Sequence, residues 1–137
     1  MRSRSEIAPG DPAPDESEAY AKLEERWRAE ERLSPVATIK WCEAKWQWLI
    51  EQVEAGYDDD KYEWENDLDS RTIIQRAIDE LPAELSTRLA GRVRPLDERF
   101  EATTRPVTRP YWSGGWWADR VPTKLGPILA ADLAGHI

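Results

Sequence analysis

Apolar positions recur at helical spacing through most of this chain, and the longest uninterrupted stretch runs from Pro35 to Ala55. At about 100° per residue, Val36, Ile39, Cys42, Trp46, Leu49, Ile50 and Val53 gather on one face. The remaining apolar residues, Ala37, Trp41, Ala44, Trp48 and Ala55, fall together on the opposite face, and polar residues fill both flanks. A surface helix of a globular protein carries one apolar stripe. Two stripes predict either a central helix covered on both sides or a second face that meets a partner. Large apolar residues are mostly core, which makes cover the simpler reading; the enrichment of Trp at interface anchors keeps the other open. Ser34 is placed to cap this helix, Pro35 to occupy its first position, and Gly56 to end it.

The same pattern predicts the neighbouring elements. Tyr20, Leu23 and Trp27 mark a helix over residues 16–33, with Asp15 and Glu18 at capping-box spacing. After Gly56 the chain predicts a turn and a short helix over residues 60–68. Asp69 or Ser70 is then placed to cap a third main helix, Arg71 to Leu81, with Ile74, Ile78 and Leu81 inward. Leu85, Leu89, Val93, Leu96 and Phe100 keep helical spacing across Pro95, where the lost backbone bond predicts a kink or break near Arg94. Periodicity stops at Arg105. Tyr111-Trp112 and Trp116-Trp117 flank Ser113-Gly114-Gly115, a short hairpin or tight turn, and Ile128 to Leu133 predicts a last helical turn.

The fold class that follows is all-α: a compact bundle of four or five helices with an irregular Trp/Pro-rich C-terminal tail packed on it. Residues 1–14 are rich in Pro, Ser and charge and predict a disordered arm. Residues 15–137 predict a single helical domain, of which 104–137 form the irregular aromatic tail.

Composition then narrows the function classes. The chain has 137 residues, 34% of them charged, and a formal net charge of −8. That balance opposes binding of DNA or RNA through their phosphates. One Cys and one His leave no internal disulfide and no Cys/His zinc site. Residues 1–18 lack the apolar core of a secretory signal, and no apolar run approaches a membrane span. The expected localisation is cytoplasmic, with no cofactor.

Charge is uneven. Seven of the twelve residues from Asp58 to Asp69 are acidic, opposed only by Lys61. They fail as a calcium loop, because Glu63 stands where an EF-hand needs Gly. An open run of carboxylates also lacks the desolvated acid of a paired-carboxylate active site. Two readings remain: a solvated turn, or a docking surface for a basic protein. For the second, Asp58, Asp59, Asp60, Tyr62, Glu63, Trp64, Glu65, Asp67 and Asp69 combine steering charge with aromatic anchors.

In the tail, Arg105, Arg109 and Arg120 lie beside Tyr111, Trp112, Trp116 and Trp117. This mixture can stack single-stranded bases; a lid over the bundle, with Arg on indole faces, is simpler. Cys42 sits on the core stripe as a buried structural thiol. His136 lies in a segment prone to fraying. No phosphate-binding loop or nucleophile elbow is present.

The sequence thus points to a small acidic, non-enzymatic protein that binds another protein, in the manner of an inhibitor or immunity-type protein, through segment 58–69. One alternative is a self-associating structural or adaptor subunit, a homo-oligomer joined through Trp41, Trp48, Trp112, Trp116 and Trp117. Another is an enzyme or ligand binder with a pocket under the aromatic tail.

Overall fold

The computed structural model describes residues 1–31, 37–109 and 114–137. Among them the order is a helix α1 (Pro14–Ala29), α2 (Ile39–Ala55), α3 (Lys61–Glu80), α4 (Ala83–Thr103), a strand β1 (Thr104–Pro106), a strand β2 (Arg120–Pro122) and α5 (Pro127–Asp132). The fold is an all-α bundle with a small two-stranded addition. Among the described residues no helix is long and apolar enough to cross a membrane.

α1 starts with Pro14 in the first turn and no side-chain cap, a place where a missing N–H costs nothing. The capping box expected from Asp15 and Glu18 does not form. Their carboxylates turn outward, to Arg88 at 2.5 Å and Lys22 at 3.0 Å. The helix ends at Ala29, short of the expected residue 33, and Glu31 adopts a left-handed φ of 56°.

α2 begins later than the sequence suggests. Thr38 is its N-cap, with the hydroxyl accepting from Trp41 N–H at 3.0 Å. The expected caps at Ser34 and Pro35 lie outside the described residues. A second cap arrives from α1: the buried Glu24 accepts the Ile39 N–H at 2.7 Å. A carboxylate at a helix N-terminus satisfies an orphan donor and suits the local dipole. At the other end Gly56 takes a φ of 114°, which glycine adopts without strain.

α3 is one helix where a short helix and a main helix were expected. Asp60 caps it by accepting from Glu63 N–H at 2.9 Å. Neither Asp69 nor Ser70 interrupts it; the Ser70 hydroxyl donates to the Asp67 carbonyl at 2.7 Å and stays within the helix. The physical reason is a stripe of Trp64, Leu68, Ile74 and Ala77, all buried, which rewards one continuous helix over two. α4 likewise passes through Pro95 unbroken. Its buried residues Leu89, Val93 and Phe100 lie on both sides of the proline, and their packing outweighs the lost hydrogen bond.

The core centres on α2. Its first apolar face, Ile39, Cys42, Trp46, Leu49, Ile50 and Val53, is wholly buried. Trp46 meets Phe100 at 4.7 Å between ring centroids, Phe100 stacks on Trp64 at 6.2 Å, and Trp64 meets Tyr57 edge-on at 4.9 Å. Truncating such a ring costs about 3–5 kcal/mol.

The tail is more regular than expected. β1 and β2 pair antiparallel, with Arg105 opposite Val121. A 3-10 turn, Trp116–Asp119, leads into β2. There Trp117 is buried and its indole N–H donates to Thr72 at 3.3 Å. The proposed turn at Ser113 lies outside the described residues. α5 seats Leu129 in the core, and Gly126 before it donates to the Tyr57 carbonyl at 3.0 Å. A side chain at Gly126 would collide with that carbonyl.

The arm is not a free coil. Residues 4–6 form a 3-10 turn, and Arg2 and Arg4 fasten it to α2 and α3. Arg4 finds the buried carboxylate of Asp67 here, which offsets the cost of ordering a Pro/Ser-rich segment.

Candidate functional site

The acidic segment divides into three populations. Asp60 is spent as the α3 cap, and Trp64 is fully buried in the core. Asp59, Glu63 and Asp67 turn inward toward one cation. Asp58, Tyr62, Glu65 and Asp69 face outward, although Glu65 is half-buried.

The inward group surrounds Arg4. Its Nε donates to Asp67 Oδ1 at 2.9 Å and its Nη2 to Asp67 Oδ2 at 2.5 Å. Nη1 donates to Asp59 at 3.0 Å, and Nη2 also reaches the Tyr57 hydroxyl at 3.2 Å and Glu63 at 3.7 Å. The guanidinium lies 5.1 Å from the centroid of Trp48, a stacking contact. Asp67 is fully buried and takes a further bond from Tyr57 Oη at 2.6 Å, with Lys45 Nζ at 3.5 Å.

Three carboxylates therefore meet two cations around one aromatic wall. Hydrogen bonding to Asp67 holds Arg4 more firmly protonated than usual, against the opposing effect of burial. Burial pushes the Tyr57 hydroxyl well above its ordinary range, and the Asp67 charge pushes it further, so the phenol stays a donor.

The outward group forms a stripe on the first half of α3. Tyr62, Glu65, Asn66 and Asp69 share one helical face at three- and four-residue spacing. Tyr62 is 70% exposed, with Lys61 Nζ 5.3 Å from its ring centroid. Neither Glu65 nor Asp69 is within ion-pair distance of a cation among the described residues. Desolvation pushes the Glu65 carboxyl above its ordinary value, opposed by Lys61 and reinforced by Asp69.

The other sequence-predicted groups separate. Trp48 and Trp117 are buried, Trp41 is half-buried with Lys45 Nζ 5.1 Å from its ring centroid, and Trp116 is 40% exposed. Trp112 and Tyr111 lie outside the described residues. The second face of α2 is thus covered at Trp48 by Arg4 of the arm. Arg105 and Arg109 stack on no described indole; Arg120 instead binds Thr104 Oγ1 at 2.7 Å and steadies β1. Cys42 is buried, and burial pushes its thiol up to about 12, which keeps it neutral and unreactive near pH 7. Among the described residues no group of three or more His, Cys, Asp or Glu is placed to hold a metal ion.

Sequence reasoning missed Arg4 and Tyr57 as parts of this site. A signal for a cation was present: Glu63 and Asp67 lie four apart on one face of α3 with Asp59 just before its cap, and like charges so placed are unfavourable unless a cation lies among them. No protein-family model, no curated protein and no solved structure matches this chain significantly.

Proposed function

We propose that this chain is a protein-binding module whose contact surface is the outer face of the first half of α3. The observation that carries this reading is Tyr62. A large aromatic 70% exposed to water, beside the carboxylates of Glu65 and Asp69, which meet no cation at ion-pair distance among the described residues, contributes nothing to the core. Aromatic residues of this kind anchor interfaces, and the surrounding acids select and steer a basic partner. Asp58, at the entry to α3, extends the same acidic surface. An inhibitor of a protein with a cationic cleft, of the immunity type, is the form of binding this charge suits, and a reducing cytoplasm suits a single buried thiol. Self-association through Trp41 and Trp48 is the lesser reading, since it would displace Arg4 from the Trp48 face.

The test is affinity capture from cells of the source organism with the wild-type chain and with the triple variant Tyr62→Ala, Glu65→Gln, Asp69→Asn. The expected result is a basic protein retained by the wild type, released by salt and lost with the variant. Equal retention and equal salt dependence by both chains would overturn the proposal.

A further inference from the structure

We infer that the group of carboxylates and aromatics around Asp67 is a binding site for an arginine side chain of another protein, and that Arg4 of the arm is its built-in occupant. The inference deepens the protein-binding reading and rests on it.

The site has the parts of a guanidinium receptor. Asp67 offers both oxygens to one edge of the planar group, Asp59 accepts from a further nitrogen, and Tyr57 adds a hydroxyl. Trp48 supplies a flat wall at 5.1 Å. Bidentate donation to a carboxylate together with stacking on an indole is the recognition mode of Arg and not of Lys, whose ammonium is a point charge without a planar face. Trp48 also keeps a buried indole N–H without a hydrogen-bond partner.

The occupant is held as something removable. No residue of the turn at Arg4–Glu6 is buried, and every residue before Glu16 is exposed or half-buried. The Arg4 side chain itself is 30% exposed. The arm is attached by polar contacts, Arg2 N–H to Gln52 at 2.7 Å and the Arg2–Glu51 ion pair, with Ile7 half-buried against the core. Lifting the arm uncovers the Trp48 indole and Ile7 and leaves Asp67 deprived of its guanidinium, so that an incoming side chain must cover the indole as well as serve the carboxylate. An incoming arginine restores those bonds. The adjacent carboxylates Asp58, Glu65 and Asp69 would draw in a basic segment that carries it, and the arm thus competes with the partner for one pocket.

The experiment uses the full chain carrying Arg4→Ala, titrated by calorimetry with a synthetic peptide of residues 1–8 and with the same peptide bearing Lys at position 4. The expected result is at least tenfold tighter binding of the arginine peptide to the variant than to the wild type, and at least fivefold tighter than the lysine peptide. Adding Asp59→Asn and Glu63→Gln to the variant should weaken it again by at least fivefold. Equal binding to variant and wild type, or no preference for arginine over lysine, would overturn the inference. If Arg4→Ala does not fold, Arg4→Lys keeps a cation beside Asp67 and carries the same titration and the same criteria. Loss of the captured partner on changing Tyr62, Glu65 and Asp69, with no peptide preference, would leave the α3 surface standing and remove the pocket. Peptide preference with partner capture indifferent to that triple change would do the reverse.

Discussion

Two arginines in this molecule make the same contact by different routes. Arg71 donates through Nε and Nη2 to both oxygens of Asp97, at 2.9 Å each, and lies 4.7 Å from the centroid of Trp117. Arg4 donates through Nε and Nη2 to both oxygens of Asp67 and lies 5.1 Å from the centroid of Trp48. The chemistry is nearly superimposable. The topology is not. Arg71 and Asp97 belong to α3 and α4, and Trp46 of α2 adds its indole N–H to Asp97 at 3.0 Å, so three core helices meet there. Arg4 belongs to an arm with no buried residue. A buried ion pair between packed helices cannot be opened without unfolding; one between a core and an arm can exchange its cation. Location in the topology, not bond geometry, separates a structural fastening from a receptor.

The comparison is broken most directly by truncating each arginine. Arg71→Ala leaves Asp97 and an indole in a desolvated junction, and should destabilise the chain by about 3–5 kcal/mol in chemical denaturation. Arg4→Ala should cost about 1–3 kcal/mol, because Tyr57 and Lys45 still serve Asp67 and water can enter once the arm lifts. Equal losses would mean that the arm is as integral as α3, and that the distinction fails.

A third junction lies between α1 and α4. Glu16 of α1 accepts from Arg92 of α4 at 2.9 and 3.1 Å, again between helices but without an indole. Burial alone would raise its carboxyl, but Arg92, Tyr20 and Lys40 outweigh that and hold it below the ordinary range. A depressed carboxylate contributes stability that is complete above its unfolded pKa, about 4.3, and is lost as pH falls through the folded value. Thermal melting should therefore be level from neutral pH to about pH 5 and fall below about pH 4. Glu16→Gln should flatten that fall while lowering the neutral plateau; an unchanged acid slope would show that this junction does not behave as helix-to-helix fastenings should. The smallest expected effect is Tyr62→Ala, within about 0.5 kcal/mol of wild type. A larger loss would place Tyr62 among the structural contacts.

Much of the scaffold was legible. The core stripe of α2 is buried as its spacing predicts, and the helical class follows from the same periodicity. Local chemistry misled where a longer-range term decided. Ser34 and Thr38 both suit a cap, and the described helix starts after Thr38 because Glu24 of α1 meets the Ile39 N–H there. Asp69-Ser70 resembles a helix start, but an apolar stripe running from Trp64 to Ala77 makes one helix of two. The acidic segment was legible as an anomaly and misread as a single surface. Three of its seven acids, Asp59, Glu63 and Asp67, face inward because an arginine from far along the chain lies among them, and no local pattern at Arg4 announces that pairing.

The separation of Arg4 from Asp67, 63 positions, has a consequence during synthesis. Arg4 leaves the ribosome well before α3 exists, so its carboxylates are not yet available to it. Helices α2 and α3, adjacent in sequence, can pair early; the arm must close a long loop at an entropic cost that grows with length. The carboxylates of α3 and the indole of α2 come from neighbouring stretches of chain, so closing the arm onto them is the longest loop that this group requires.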